Sequence, residues 1–297
     1  MIEDVYEDAA GVLPHAVSVV IPAYNEVAHV AQQVRDVEQV LRQTGWTWEI
    51  IVVDDGSRDN TAEEASGTGA RVLRRRPNRG YGAALKLGIH RAKHDWILIT
   101  DADGTYPVSA IPVLLAAADR NAMVVGARTG QTVQVPLLRR PAKAFLRWLA
   151  SYLSERPIPD INSGLRLMRR DLIARYEHLL PNGFSFTTTI TLAANCNGHP
   201  VEYIAIDYHA RKGESKIRPR HAYDFALLTF RTIVYFNPLK VFIPIGAGLA
   251  LVGLGKLAYD IWKDNLSETV VLCFLGALIV WAVGLLADQN ARIGLKR

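Results

Sequence analysis

The sequence predicts an α/β fold: a mostly parallel sheet with helices on both faces, followed by interfacial amphipathic helices and a C-terminal two-helix transmembrane hairpin. Three observations carry this. Short apolar runs alternate with amphipathic helical stretches over the first half of the chain, the pattern of successive βαβ units. Polar loops (Tyr24-Asn25-Glu26, Asp54-Asp55 and Asp101-Ala102-Asp103) each follow such a run, so a parallel sheet gathers them on one edge. Two long apolar stretches, 239–262 and 269–287, close the chain, and each is near the roughly 20 residues that a bilayer requires.

The composition agrees. The chain has 297 residues, a net charge of +5, 21% charged and 49% hydrophobic residues. That is a globular, mildly basic protein with an apolar excess at its C-terminal end. Cys196 and Cys273 give neither a disulfide framework nor metal-site spacing. Residues 1–14 are acidic and lack an apolar core, so they read as a flexible N-terminus and not a signal peptide. A catalytic domain is expected over 15–217.

In order, Val17 to Ile21 reads as a buried strand stopped by Pro22, and Val27 to Gln43 as a helix with Val30, Val34, Val37 and Leu41 on one face. Trp48 to Val53 is a second strand. Asn60 or Thr61 caps a short helix with Glu63 and Glu64 in its dipole-favoured first turn. Arg71 to Arg74 is a third strand. Asn78-Arg79-Gly80-Tyr81-Gly82 reads as a loop before a helix over 83–94. This is a weak dinucleotide fingerprint, because Leu85 stands in the third glycine place. Its glycines suit a bend and close helix approach, although amides at that helix start could also hold a phosphate. Trp96 to Ile99 is a fourth strand, 108–118 a helix and Met123 to Val125 a strand ending at Gly126-Ala127-Arg128. Leu165 to Met168, 184–194 and 201–206 read as strand, helix and strand.

Asp101 and Asp103, one residue apart after a strand, are hard oxygen ligands suited to Mg²⁺ or Mn²⁺ on a diphosphate. The competing reading is an Asp/Gly turn in which the side chains bond their own backbone. The sequence contains no Gly-Lys-Ser/Thr phosphate loop, no Gly-x-Ser-x-Gly elbow and no His-Glu-x-x-His, and no nucleic-acid partner is expected.

Over 136–154 apolar residues (Leu138, Phe145, Leu149, Tyr152) face one way and Arg139, Arg140, Lys143 and Arg147 another, the pattern of an interfacial helix. A basic loop, Arg211 to Lys216, and a juxtamembrane helix over 218–237 lead to the hairpin, 238–290, with a basic tail at 291–297. Arg231 and Lys240 before the hairpin and Arg292, Lys296 and Arg297 after it put both chain ends, and the catalytic domain, in the cytoplasm. A soluble nucleotide-binding sheet tethered to a membrane suggests one water-soluble and one lipid substrate.

The ordered set VSVVIPAYNE (17–26), DDGSRDNT (54–61), NRGYGAALKLG (78–88), DADGTYP (101–107) and Gly126-Ala127-Arg128 resembles the motifs of family 2 glycosyltransferases of the GT-A fold. Asp160 to Arg166, the 211–216 loop and the hairpin make it similar to dolichol-phosphate mannose synthases and polyprenyl-phosphate glycosyltransferases. The resemblance implies transfer of a hexose from GDP-mannose, UDP-glucose or UDP-N-acetylglucosamine to a polyprenyl or dolichyl phosphate, metal-dependent and inverting. It assigns Pro22, Ala23, Tyr24, Glu26, Asp54, Asp55, Asp101 and Ala102 to the nucleotide, and Asp101 and Asp103 to the metal. Arg128, Arg211, Ser215 and Lys216 fall to the acceptor phosphate, joined by Arg139 or Arg140, between which the sequence does not choose. Asp101, Asp103 and Arg128 then carry catalysis. One departure stands out: Thr105 occupies the place where mannose synthases of this group often have Gln as a further metal ligand. The alternatives are a family 2 transferase with another membrane acceptor, a processive polysaccharide or glycolipid, and a catalytically degenerate nucleotide-sugar-binding module. The sequence leaves a homo-oligomer open.

Overall fold

A computed structural model describes residues 15–129, 151–152, 156–183, 185–208, 235 and 238–295. The chain divides into two compact units, Met1–Arg147 with Ile158–Lys216, and Trp148–Pro157 with Ile217–Arg297.

The first unit is built on a seven-stranded sheet of order β3-β2-β1-β4-β6-β5-β7. Its strands are β1 (Ala16–Ala23), β2 (Thr47–Asp54), β3 (Arg71–Arg74), β4 (Trp96–Ile99), β5 (Met123–Ala127), β6 (Arg166–Arg169) and β7 (Val201–Ala205). Every residue of β1, β4 and β5 is buried, as expected of strands covered by helices on both faces. The helices are α1 (Val30–Leu41), α2 (Thr61–Ser66), α3 (Tyr81–Arg91), α4 (Ile111–Ala116), α5 (Arg170–Tyr176) and α6 (Phe186–Cys196). α1 buries Val30, Val34, Val37 and Leu41, the face its spacing predicts. Fully burying four such side chains is worth about 1.5–3 kcal/mol each.

Pairing is parallel for β1 with β2, β2 with β3, β1 with β4, and β5 with β7. β6 runs antiparallel to both of its neighbours, β4 and β5. This places the site. The carboxyl ends of β1 to β5 and β7 lie on one edge, and reversed β6 brings the loop before it, 160–165, to that same edge. The chain crosses from the β2 side of β1 to the β4 side, a topological switch point where α/β sheets bind ligands.

Two expectations differ in detail, and one helix was not anticipated. The helix read over 108–118 is a short α4 flanked by 3₁₀ turns at Val108–Ala110 and Ala118–Arg120. α3 starts at Tyr81, two residues earlier than its apolar pattern suggests. α5 follows β6 with no intervening loop, which hid it from the sequence pattern.

In the second unit, α7 (Leu239–Trp262) and α8 (Glu268–Leu295) are each long and apolar enough to cross a membrane, and their most apolar windows are only 11% and 17% buried. They pack against one another. The Trp281 indole lies against Gly246 and donates to the Ile243 carbonyl at 3.2 Å. At the turn, Asp260 pairs with Lys256 and accepts from the Ser267 amide at 2.9 Å. A carboxylate inside an apolar helix end is thus fully served. α8 continues to Leu295, through part of the stretch read as a separate tail. The calls on residues 1–14, most of 136–154 and nearly all of 218–237 lie outside the described residues.

Candidate active site at the sheet edge

The β1–β3 half of the edge is laced together by its own loops. Asn25, at φ +53°, donates its amide to Ser57 Oγ at 2.9 Å, and its side-chain oxygen accepts from the Arg58 amide at 2.8 Å. The Glu26 amide donates to Thr61 Oγ1 at 2.8 Å, and Asp54 Oδ1 accepts from the Ser57 amide at 3.0 Å. Between these loops and the chain after β3 lies a cleft of about 950 Å³, lined in part by Tyr24, Ser57, Arg58, Asp59, Arg76 and Asn78. Burial pushes the Asp59 carboxyl up, but hydrogen bonds from Thr61 and Val27 outweigh it and hold the group below the usual carboxylate range. The cleft thus mixes anionic, cationic and amide groups.

Asp55 has a task that the sequence did not disclose. Its buried carboxylate accepts from Arg75 Nε at 3.0 Å, from the Arg79 amide at 3.1 Å and from the Gly80 amide at 2.7 Å. It ties the chain after β3 to the end of β2. That chain is also pressed from the other side. Gly80 has φ +100°, and a Cβ at Gly82 would stand 2.2 Å from the Pro181 carbonyl oxygen. The glycines therefore serve close approach. They bring the start of α3 onto 181–183, where the Ala83 amide donates to the Asn182 carbonyl at 3.0 Å.

At the end of β4, Asp101 and Asp103 are half-buried on the same edge. Asp101 Oδ1 accepts from the Tyr81 hydroxyl at 3.0 Å. Burial first, and the Asp101 charge second, push the Tyr81 phenol well above its ordinary pKa, so it stays a donor. Asp103 Oδ1 accepts from the Thr105 amide at 3.1 Å and the Thr105 hydroxyl at 2.6 Å. Thr105 thus supports Asp103. On its other side Asp101 meets Gly164, where a Cβ would sit 2.9 and 3.0 Å from the two carboxylate oxygens. The Gly164 amide is fixed by the Tyr106 hydroxyl at 2.6 Å. The residues fit a divalent cation: two hard carboxylates on a rigid edge, with space against one of them kept by the absence of a side chain. Among the described residues no group of three or more His, Cys, Asp or Glu could hold a metal. A cation here would complete its shell with water and ligand oxygens, as Mg²⁺ commonly does.

At the end of β5, Arg128 meets the loop that reversed β6 delivers. Its Nε donates to Asp160 Oδ2 at 2.7 Å, and its Nη2 to Asp160 Oδ1 at 2.9 Å and Asn162 Oδ1 at 2.6 Å. The guanidinium lies over the Tyr208 ring, 5.3 Å from its centroid. Burial lowers the Arg128 pKa, yet the Asp160 hydrogen bonds and charge carry it above the usual arginine range. Beneath them, Arg166 is wholly buried. Its hydrogen bonds go to neutral acceptors, the Ser163 and Thr187 carbonyls and Thr191 Oγ1, at 2.6 to 3.1 Å. Burial lowers its pKa.

Residues 18–176 match the Glycosyl transferase family 2 model, more than half of the chain. The chain belongs to glycosyl transferase family 2. This glycosyltransferase also matches the GtrB C-terminal hairpin over 237–293. It is 32% identical over 251 residues, 82% of its own length and 71% of the relative's, to the undecaprenyl-phosphate 4-deoxy-4-formamido-L-arabinose transferase of Pseudomonas fluorescens. It is 31% identical over 204 residues, 68% of its length and 86% of the relative's, to the dolichyl-phosphate hexose transferase of Haloferax volcanii. Two solved structures share the fold. Mannosyl-3-phosphoglycerate synthase from Rubrobacter xylanophilus has a TM-score of 0.58 at 19% identity, covering 74% of this chain and 73% of that one. Glucosyl-3-phosphoglycerate synthase from Mycobacterium tuberculosis, in complex with Mn²⁺, UDP and glucosyl-3-phosphoglycerate, has a TM-score of 0.54 at 22% identity, covering 74% and 77%.

In this glycosyltransferase the structure brings Tyr24, Glu26, Asp54, Asp55, Asp101, Asp103 and Arg128 to one edge. Pro22 and Ala23 are buried strand residues, and the Ala23 carbonyl accepts the Asp55 amide at 3.0 Å. Ala102 is buried behind the aspartates. Arg139, Arg140, Arg211, Ser215 and Lys216 lie outside the described residues. The sequence reading gave no site role to Arg58, Arg76, Asp160 or Gly164, although Arg58 and the 160–166 stretch were among the motifs that carried the resemblance. Arg58 follows Ser57 directly, and Arg76 lies between the third strand and the 78–82 loop. Asp160 and Gly164 arrive only through the reversal of β6, which no local pattern announces.

Proposed function

We propose that this glycosyltransferase is membrane-anchored and moves a hexose from a nucleoside-diphosphate sugar to a polyprenyl or dolichyl phosphate, with inversion. One observation carries the reading: the polar cleft, the Asp101/Asp103 pair and Arg128 share one sheet edge in a chain that closes with an apolar hairpin. The names of the relatives from P. fluorescens and H. volcanii, both prenyl-phosphate transferases, support the acceptor.

The β1–β3 loops hold the nucleoside in the cleft, with Tyr24 against the base. Asp101 and Asp103 would hold Mg²⁺ or Mn²⁺, which supplies positive charge to the diphosphate as its bond to the anomeric carbon breaks. The nucleophile is the acceptor itself. A phosphate monoester has a second pKa near 6 and is dianionic at neutral pH, so little general-base help is needed. Its oxygen forms the new bond to the anomeric carbon as the nucleoside diphosphate leaves from the opposite face, which gives inversion. The harder task is to bring two anions together, and that falls to arginine and lysine. Arg128, oriented by Asp160, turns Nη1 to the acceptor phosphate. Arg139 or Arg140, with Arg211, Ser215 and Lys216, complete its binding. The flanking charges of the hairpin support a catalytic unit on the cytoplasmic face.

The test uses the full chain in detergent. GDP-mannose, UDP-glucose and UDP-N-acetylglucosamine, each labelled in the sugar, are offered with undecaprenyl or dolichyl phosphate. Label entering a chloroform-soluble product from one donor, lost with EDTA and restored by Mn²⁺ or Mg²⁺, is the expected result. Binding of nucleotide with no transfer to either prenyl phosphate would sink the proposal in favour of a degenerate module.

A further inference from the structure

We propose that Tyr81 is a positioning residue for the transfer reaction, its phenol fixing the Asp101 carboxylate in the orientation that meets the cation. The inference rests on the metal reading given above and adds to it a residue that is not itself a ligand.

The argument begins with how firmly the Tyr81 backbone is held. It is the first residue of α3, directly after Gly80, whose amide is bound by Asp55 at 2.7 Å. In the same turn, the Ala83 amide is bound by the Asn182 carbonyl at 3.0 Å, and the Ala83 carbonyl by Arg75 Nη1 at 2.9 Å. Arg75 is the same side chain that grips Asp55. From the next turn Lys86 Nζ reaches the Asn182 side-chain oxygen at 3.2 Å. The start of α3 therefore cannot slide or roll without breaking a buried ion pair. From this fixed base the Tyr81 hydroxyl donates to Asp101 Oδ1 at 3.0 Å.

Asp101 is held from the opposite side by contact. A Cβ at Gly164 would stand 2.9 and 3.0 Å from its two oxygens, so any larger residue there would displace it, and the Gly164 amide is itself fastened by Tyr106. The carboxylate thus has one face against Gly164 and one oxygen tied to Tyr81. A carboxylate that must bind a cation reversibly loses rotational freedom when it does, and a donor that has already fixed it removes that cost. The chain Asp55–Gly80–Tyr81–Asp101 also joins the nucleoside side of the edge to the cation side through one rigid helix start.

The experiment compares the full-length wild type, Tyr81→Phe and Asp101→Asn in detergent, with Mn²⁺ as the probe and its free fraction read by electron paramagnetic resonance. Wild type is expected to bind Mn²⁺, and Asp101→Asn to lose most of that binding. If Asp101→Asn binds as well as wild type, the metal reading fails, whatever Tyr81 does. Given Asp101-dependent binding, Tyr81→Phe should weaken Mn²⁺ about tenfold, the lower end for loss of a residue that supports a metal ligand. In turnover it should raise the Mn²⁺ concentration for half activity by a similar factor, with kcat at saturating Mn²⁺ near wild type. Binding unchanged or tightened in a folded Tyr81→Phe overturns the inference. So does a kcat that falls with no change in Mn²⁺ dependence, the mark of a merely structural role. Thermal unfolding in EDTA reports folding independently of the metal. Should Tyr81→Phe not fold, Gly164→Ala decides: it turns Asp101 by contact and leaves Tyr81 in place. A folded Gly164→Ala with wild-type Mn²⁺ affinity then overturns the claim that Asp101 orientation sets binding.

Discussion

Two buried arginine–carboxylate pairs stand at the two halves of the sheet edge, and they are put to different ends. Asp55 and Arg75, at the ends of β2 and β3, are enclosed: what Asp55 does not give to Arg75 it gives to the Arg79 and Gly80 amides. Arg128 and Asp160, after β5 and before β6, are just as enclosed, with side chains 15% and 2% exposed against 17% and 4% for Arg75 and Asp55, but they share their contacts differently. Arg128 reaches past its carboxylate to Asn162 and the face of Tyr208. The first pair closes a loop upon itself. The second joins the end of β5 to the loop before β6. In the proposed reading the same chemistry serves architecture in the first pair and acceptor binding in the second.

The comparison is sharpened first by the group between the pairs. Asp101→Asn removes one charge from the candidate cation site and nothing from either pair. Transfer should fall by roughly 10²–10³, the scale of losing a charge-stabilising group, with an unchanged melting temperature. An equal fall in stability would mean that Asp101 belongs to the architecture instead.

Asp55→Ala comes next. Removing one partner of a buried pair strands the other, at about 3–5 kcal/mol. For a unit of this size each kcal/mol shifts Tm by about 2–4 °C, so a drop on the order of 10 °C is expected by calorimetry or light scattering. Arg128→Lys should do the reverse. Lysine keeps the charge but not the fork that meets Asp160 and Asn162 together. We expect about a tenfold fall in kcat/KM, read mainly as a higher KM for the prenyl phosphate, with a smaller fall in Tm than Asp55→Ala produces. If Asp55→Ala costs activity alone, or Arg128→Lys stability alone, the contrast is wrong.

How much of this could be seen in the sequence follows the same division. β1 to β5 and the loops after them were legible because apolar runs and the polar residues that end them are local patterns. The two hairpin helices were legible for the same reason, α7 to the residue. What escaped is what depends on distant chain. β6 reads as a strand, but its reversal is set by partners that precede it by dozens of residues. Asp160 and Gly164 were therefore invisible as site residues. Arg166 carries a charge in the middle of a strand, and sequence gives no hint that carbonyls from 163 and 187 will enclose it. Asp54 and Asp55 look alike as neighbours, yet one caps its own turn and the other clamps the next crossover. Tyr81 was placed in a loop because glycines flank it, and its hydroxyl contact could not be foreseen from that.

The smallest expected effect lies away from both pairs, on the opposite edge of the sheet, and it tests whether charge matters there at all. His199, just before β7, has its Nε2 3.0 Å from the Tyr176 hydroxyl. Burial, and after it the positive charge of Arg175, hold its pKa below the usual 6.5. The folded state thus binds the proton less readily than the unfolded chain. This contribution to stability is fully present above pH 6.5 and is lost as pH falls below that value towards the lowered folded pKa. Tm should decline between pH 7 and pH 5, and His199→Gln should flatten that decline while leaving the pH dependence of transfer as it was. A matching change in transfer would tie this edge to the reaction. The stable insulation of the two edges would then fail, because the chemistry assigned to the Asp101 side needs no histidine and takes its titration from the acceptor phosphate alone.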